Sequence, residues 1–372
     1  MSEPSPIAAA AAAAVAAKYA EETNSARRLP DPVVAAVVES GLARHFVPVQ
    51  WGGNEGTFRD LHEALTVIGE GCASAAWCAG VWSSAARMGV YLPQAGQAEL
   101  WAQGPDTLVV GALIPGGLVE PVAGGWLLSG SWPFTSGVDA ADWALVCGVP
   151  SADESGGPRF FAVPRDDFRI RDTWHNVGMR GTGSNTLELE RVFVPEHRSF
   201  LRSRMQEGAA DGSAARCHAV PVRVVGGLTF AAPALGAARA ALDSWIADIA
   251  VRTGPAGPAG ANPSIQQTLA RASGEIDTAA LLLERVARAG DEEELTPLLS
   301  ARCARDYTLA VNYLVDAVER LFRAQGARGQ AESSPVQRAW RDIHCAAGHV
   351  GLQFDTAAGG YAAAVFQQHH HN

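Results

Sequence analysis

Lysine is nearly missing from this chain of 372 residues: Lys18 stands alone, and arginine supplies every other basic side chain. The bias matches the abundant alanine of a GC-rich coding background, and no function attaches to it. Acidic residues outnumber basic ones, 39 to 29, for a formal net charge of −10. A field of that sign repels phosphate backbones and anionic membrane surfaces, which excludes a nucleic-acid partner. No apolar run reaches the roughly 18 to 20 residues that a bilayer span needs, so no membrane segment is expected. The alanine tract at 8–14 follows an acidic rather than a basic flank, which argues for a helix and against a secretory signal. The six cysteines, Cys72, Cys78, Cys147, Cys217, Cys303 and Cys345, form no Cys-x-x-Cys pair. Reduced thiols in a cytoplasmic protein are expected. There is also no Gly-x-Gly-x-x-Gly between a strand and a helix, no phosphate-cradling Gly-x-x-x-x-Gly-Lys, no Gly-x-Ser-x-Gly and no His-Glu-x-x-His. Dinucleotide folds, nucleoside triphosphatases, serine hydrolases and zincins lose their usual support.

What is present divides the chain into three textures. Over residues 1–104 apolar side chains recur at three and four, as in Val34, Val37, Val38 and Leu42 or Leu61, Leu65 and Ile68, which predicts helices. Over 105–205 short β-rich runs at 107–114, 126–129, 143–149, 160–163 and 187–194 are punctuated by Gly-Gly and Pro-Gly. Strands without intervening helices predict an antiparallel sandwich or barrel. Leu187 to Glu190 alternate apolar and charged until Arg191 and Val192 break the pattern. Over 206–372 helical faces return: Ile265, Leu269, Ala272, Ile276, Ala279, Leu283 and Val286 form one, and Leu299, Cys303, Val311, Val315, Val318 and Phe322 another. Pro/Gly-rich stretches at 254–263 and 326–334 separate the members of an expected four-helix bundle. The fold class is mainly α, α+β and multidomain.

Four separated blocks then resemble one superfamily. They are Pro-Val-Gln-Trp-Gly-Gly-Asn-Glu at 48–55, Gly-Gly-Trp-Leu-Leu-Ser-Gly-Ser-Trp-Pro-Phe-Thr-Ser-Gly at 124–137, Trp-His-Asn-Val-Gly-Met-Arg-Gly-Thr-Gly-Ser at 174–184, and 192–195. In order and spacing they resemble acyl-CoA dehydrogenases. The block from Pro335 to Asp342, with His349 beyond it, is similar to the group D two-component flavin-dependent monooxygenases. The resemblance implies an isoalloxazine between barrel and bundle, a tetramer, reduced flavin (FMN or FAD) delivered by a separate NAD(P)H-flavin reductase, and O2 as co-substrate.

It also implies a site. A reduced flavin and its oxygen adduct at C4a need a dry pocket with controlled donors. Trp132, Phe134, Thr135 and Ser136 offer aromatic walls and hydroxyls, and relatives place the hydroxyls of this block against N5 and O4. Trp174, Thr182 and Ser184 form the second flavin element, where Gly181 and Gly183 permit close approach. Arg252 and Gln266 occupy the places of residues that touch the cofactor's phosphate or adenylate. His349, expected on the last helix two turns beyond Asp342, corresponds to a histidine beside C4a; Asp342 and Arg341 are expected to form a structural or subunit-contact ion pair. Trp77, Cys78, Trp82 and Met88 are expected to wall the substrate, with Trp82, Ser83 and Ser84 where several relatives carry a phenol-orienting histidine. Cys217 and His218 are incidental, and His369 to His371 are left out of the mechanism.

The leading function is therefore an oxygenase component acting on a small organic molecule, aromatic or a natural product. A dehydrogenase of acyl-CoA type needs a carboxylate base; after Glu332 only Asp342 and Asp355 remain, in the wrong setting, and Glu275 and Glu284 are the other candidates. A flavin or ligand binder without chemistry is the third reading.

Overall fold

A computed structural model describes residues 6–151, 157–210, 212–255 and 257–371. Six helices come first: α1 (Pro6–Lys18), α2 (Ala20–Ala26), α3 (Asp31–Glu39), α4 (Phe58–Gly71), α5 (Ala73–Gly89) and α6 (Gln94–Leu100). The alanine tract is indeed helical, and its stripe of Ala9, Ala12 and Ala16 is buried. Thr57 caps α4 by accepting from the Asp60 amide while its hydroxyl donates to the Asp60 carboxylate.

Eight strands follow: β1 (Val109–Ala112), β2 (Leu118–Val122), β3 (Gly125–Thr135), β4 (Trp143–Gly148), β5 (Arg159–Pro164), β6 (Arg169–Arg171), β7 (Asn185–Pro195) and β8 (Ser199–Leu201). They make two four-stranded sheets, β1-β4-β5-β8 and β2-β3-β7-β6. Of the expected antiparallel sandwich or barrel, no closed barrel forms among the described residues; the strands lie in two sheets, and one of these is mixed, not antiparallel throughout, because β1 runs parallel to β4. The break at Arg191 is a bulge: Arg191 turns left-handed (φ 51°), its amide takes the Ser129 hydroxyl as acceptor at 2.9 Å, and the strand runs on to Pro195.

Three short helices, α7 (Arg202–Glu207), α8 (Arg216–Ala219) and α9 (Val222–Val225), lead into α10 (Leu228–Val251). A two-residue hairpin then precedes α11 (Pro263–Glu292), α12 (Pro297–Ala324), α13 (Pro335–Ala347) and α14 (Phe354–His371). Asn262, Thr296 and Ser334 each stand before a proline and cap α11, α12 and α13 through a side-chain oxygen. Proline at the first helical position lacks only an amide hydrogen that would be orphaned there anyway. The α11 face read from the sequence is the buried one, from Ala272 to Val286. Among the described residues one helical stretch, Val222–Val251, is long and apolar enough to cross a membrane, yet 78% of its most apolar window is buried inside the protein. It is the central helix, packed on α4, α5, α11, α12 and α13.

Candidate active site

Strand β3 builds one wall. Between Trp132 and Thr135 the β3–β7 register slips, and Pro133, which has no amide hydrogen to give the ladder, sits in the gap. The slip throws Phe134 outward in a left-handed conformation (φ 61°, 69% exposed) against the edge of Trp174, with ring centroids 6.3 Å apart. Two residues on, Ser136 turns inward and is buried. Its Oγ accepts the indole N–H of Trp77 at 3.0 Å and lies 2.7 Å from Ser184 Oγ. Ser184 in turn lies 2.7 Å from Thr182 Oγ1, which donates to the Met179 carbonyl at 2.9 Å. The same carbonyl accepts the Trp174 indole N–H at 2.8 Å. A chain of hydroxyls thus joins β3, α5 and the 174–184 segment.

Across from it stand three rings. Trp77 and Phe230, the latter from the first turn of α10, lie 4.6 Å apart; His349 lies 4.0 Å from Phe230 and stands edge-on to Trp77 at 5.6 Å. Burial pushes the His349 imidazole down to about 4, so at neutral pH it is uncharged. Its Nδ1 accepts the Gly351 amide at 3.1 Å. The proton of the neutral ring therefore sits on Nε2, as a donor.

Between these walls lies a cleft of about 580 Å3, closed further by the 111–116 segment, Val81, Asn176 and Cys345. That size lies within the range of small-molecule and cofactor sites, roughly 300–1,000 Å3. Apolar faces with one hydroxyl edge fit a planar heteroaromatic ring such as an isoalloxazine. A groove of about 700 Å3 along β6 and β7 is larger, but half of its lining is charged, Asp166, Asp167, Glu188 and Glu190 with Arg169 and Arg191, and side chains among these have partners of opposite sign, as in Arg169–Glu190 at 3.7 Å.

The structure brings Trp77, Trp132, Phe134, Ser136, Trp174, Thr182, Ser184 and His349 together at the cleft. Thr135 points behind it, donating to the Trp132 carbonyl. Cys78 and Trp82, one and five residues after Trp77 on α5, turn off its helix face and brace the site from outside: the Cys78 thiol donates to the Thr182 carbonyl, and Trp82 Nε1 to the Gly137 carbonyl at 3.3 Å. Val81, four residues after Trp77 and so on the same helix face, takes the place expected for them. Met88 is buried in a separate cluster with Leu100 and Phe160. Ser83 donates to the Leu42 carbonyl and Ser84 meets Thr229, so neither reaches the cleft lining. Arg252 pairs with Asp248 of its own helix, and Gln266 is exposed and donates to Gly260. Arg252 stands 22 residues along α10 from Phe230, about 33 Å at the helical rise.

Two expectations at the C-terminal end are corrected. His349 is not on a helix: α13 ends at Ala347, the chain turns through Gly348, and His349 opens a short 3-10 turn before α14. Asp342 and Arg341 do not pair with each other; both grip the 176–180 loop, the Asp342 carboxylate accepting the Met179 amide at 2.6 Å and the Arg341 guanidinium donating to the Val177 carbonyl at 2.6 Å. Burial raises the Asp342 carboxyl to about 6, against the pull of that amide and of Arg341 and Arg338. The dehydrogenase bases are also engaged elsewhere, Glu275 with Arg320 at 2.9 Å and Glu284 with Arg59 at 3.0 Å, and neither lines the cleft. Phe230, Asn176, Met179 and Cys345 were missed; Asn176 and Met179 lay inside a block already singled out, while Phe230 carries no local signal.

Comparison with known proteins gives the same picture. Residues 228–354 match the family model described as acyl-CoA dehydrogenase, C-terminal domain. The oxygenase component of an FADH2-dependent resorcinol hydroxylase from Rhizobium sp. (strain MTP-10005) is 33% identical over 90% of this chain and 87% of its own. The 3-HSA hydroxylase from Rhodococcus sp. RHA1 superposes with a TM-score of 0.89 at 30% identity, covering 95% of this chain and 94% of that one. XiaF from Streptomyces sp., solved with FADH2 and glycerol, gives 0.88 at 29% identity, with 95% and 93% covered. The chain belongs to the two-component flavin-dependent monooxygenases, as an oxygenase component built on the acyl-CoA dehydrogenase fold.

Proposed function

We propose that this oxygenase takes reduced FAD from a separate NAD(P)H-dependent flavin reductase and, with O2, places one oxygen atom on a small aromatic substrate. The observation that carries the reading is the meeting of the hydroxyl chain at Ser136 and the ring cluster around His349 on one shielded cleft. FADH2 stands in the descriptions of both the resorcinol hydroxylase and the XiaF complex, which supports FAD over FMN. Bound reduced flavin supplies two electrons and the activation of dioxygen. Ser136 holds the N5 edge of the ring, backed by Ser184 and Thr182. Trp132, Phe134 and Trp174 form its walls, and Thr135 keeps the bulge in shape. His349 offers Nε2–H to the oxygen being transferred or to a substrate oxygen. Trp77, Val81 and Phe230 stack the substrate, while Cys78 and Trp82 keep Trp77 in register. Met88 supports only from a distance.

A homo-oligomer, by resemblance a tetramer, is supported by the exposed apolar side chains of Val251, Leu281 and Phe366 on the bundle. Arg252 and Gln266 reach a cofactor phosphate only if that cofactor belongs to a neighbouring copy. The six unpaired thiols suit a reducing, cytoplasmic compartment.

Purified protein mixed anaerobically with reduced FAD should bind it, read as quenching of tryptophan fluorescence. Exposure to 18O2 with resorcinol or indole should then put one labelled atom in the product. Absence of both binding and label sinks the reading. Flavin reduction by an acyl thioester would revive the dehydrogenase.

A further inference from the structure

The hydroxyl chain beneath the cleft has a forced direction. It begins at a group that can only donate, the Trp77 indole N–H, and ends at one that can only accept, the Met179 carbonyl. Between them lie the hydroxyls of Ser136, Ser184 and Thr182, each with a single hydrogen. Four contacts, at 3.0, 2.7, 2.7 and 2.9 Å, must be filled by four hydrogens. Thr182 gives its hydrogen to Met179, so Ser184 must give its own to Thr182, and Ser136 must give its own to Ser184. Ser136 is left without a hydrogen, and its remaining lone pair is all that it can present to the cleft.

An acceptor at that place distinguishes the two redox states of a flavin. The reduced ring carries a hydrogen on N5 and can donate; the oxidised ring carries a bare lone pair there, which meets the serine lone pair. We infer that Thr182 and Ser184 are positioning residues that fix Ser136 as an acceptor and so make the cleft select reduced over oxidised flavin. The inference rests on the proposed placing of the N5 edge at Ser136. It goes further by assigning the choice of redox state to two side chains that need not touch the ring.

The test is the ratio of dissociation constants for oxidised and reduced FAD, measured anaerobically on the full-length protein. In Thr182→Val the chain loses its outlet: Ser184 can turn back toward Ser136, whose hydrogen is freed toward the cleft. Ser184→Ala frees the same hydrogen directly. Both variants should lower the ratio by roughly three- to tenfold, the worth of one hydrogen bond. Since preferential binding of the reduced form raises the potential, a tenfold fall also lowers the midpoint potential of bound FAD by about 30 mV. Ser184→Thr, which keeps the hydroxyl, should retain the wild-type ratio. Trp77→Phe weakens binding of both states but leaves Ser136 donating to Ser184, so its ratio should not fall. A ratio unchanged in both Thr182→Val and Ser184→Ala overturns the inference while leaving the flavin site standing. Failure of the wild type to bind FAD in either state removes both.

Discussion

At the scale of single residues, His349 is held neutral at acidities where a free imidazole would charge, and Phe134 is held in a backbone conformation that residues with a Cβ avoid. His349 is kept neutral by burial, its value lowered from 6.5 to about 4. A depressed histidine contributes stability that is fully present above about pH 6.5 and is lost as pH falls toward 4. Its imidazole signals in NMR are expected to stay unshifted from pH 8 down to about 5, and a midpoint near 6.5 would remove the neutral donor from the site. His349→Ala should lower the yield of product per O2 consumed roughly 10- to 100-fold while flavin uptake stays within about twofold, because general acid–base or donor assistance has been removed and the ring pocket has not. Phe134 occupies left-handed backbone, which costs a residue with a Cβ about 1–2 kcal/mol. Phe134→Gly should therefore raise stability by up to about 1 kcal/mol in urea unfolding and weaken FAD binding. Stability and affinity falling together would mean that Phe134 supports the fold instead. The sequence made both residues visible as types within a block. It could not reveal the tautomer or the strain, since the Gly351 amide and the register slip opposite β7 exist only once the chain is folded.

Elements position these residues, and the contact between the 174–184 segment and α13 matters most. A Cβ on Gly178 would run into the Arg341 carbonyl, so the loop lies directly on the helix backbone. Gly178→Ala must push the two apart, at about 1–3 kcal/mol for an overpacked contact. Because Met179 anchors the hydroxyl chain, that variant should also lose affinity for reduced FAD. The buried Asp342 adds a pH dependence. Its value is raised from 3.8 to about 6, so the stability tied to its protonated form is present at low pH and lost as pH rises through about 6. Asp342→Asn keeps an oxygen for the Met179 amide and removes the charge. Its stability relative to wild type should improve by about 1–3 kcal/mol between pH 4 and pH 8, and a flat difference would show that the carboxylate is already well solvated. Helices were legible because their apolar faces repeat and because Pro/Gly-rich stretches mark the breaks between them. β2, β6 and β8 were not: β2 contains Pro121, β6 is Arg-Ile-Arg, and three to five residues at a sheet edge carry almost no alternation. The parallel pairing of β1 with β4 is set by tertiary packing and leaves no local trace.

At the scale of the whole molecule, the helical layer that opens the chain and the bundle that closes it share one core, which runs from Ala9 to Leu352 and takes in both sheets. The seam is the crossing of α4 and α10. There Gly236 faces the Thr66 carbonyl and Gly69 faces the Pro233 carbonyl, so the two backbones touch with no side chain between them. Gly236→Ala leaves helix propensity improved by about 1 kcal/mol, yet it inserts a methyl where there is backbone, and overpacking of that kind costs about 1–3 kcal/mol or more. The steric cost dominates, because neither main chain can swing aside as a flexible side chain would. Thermal unfolding followed by far-ultraviolet circular dichroism and by tryptophan fluorescence should move down together by several degrees, since the shared core ties the tryptophans on both sides of the seam to the same transition. Phe230 lies six residues before Gly236 on the same helix, so the shift should also loosen the ring cluster and weaken FAD binding severalfold. Two separated transitions, or a lowered melting point with unaltered FAD affinity, would show that the bundle and the helical layer are independent and that α10 does not carry the fold's rigidity to the cleft.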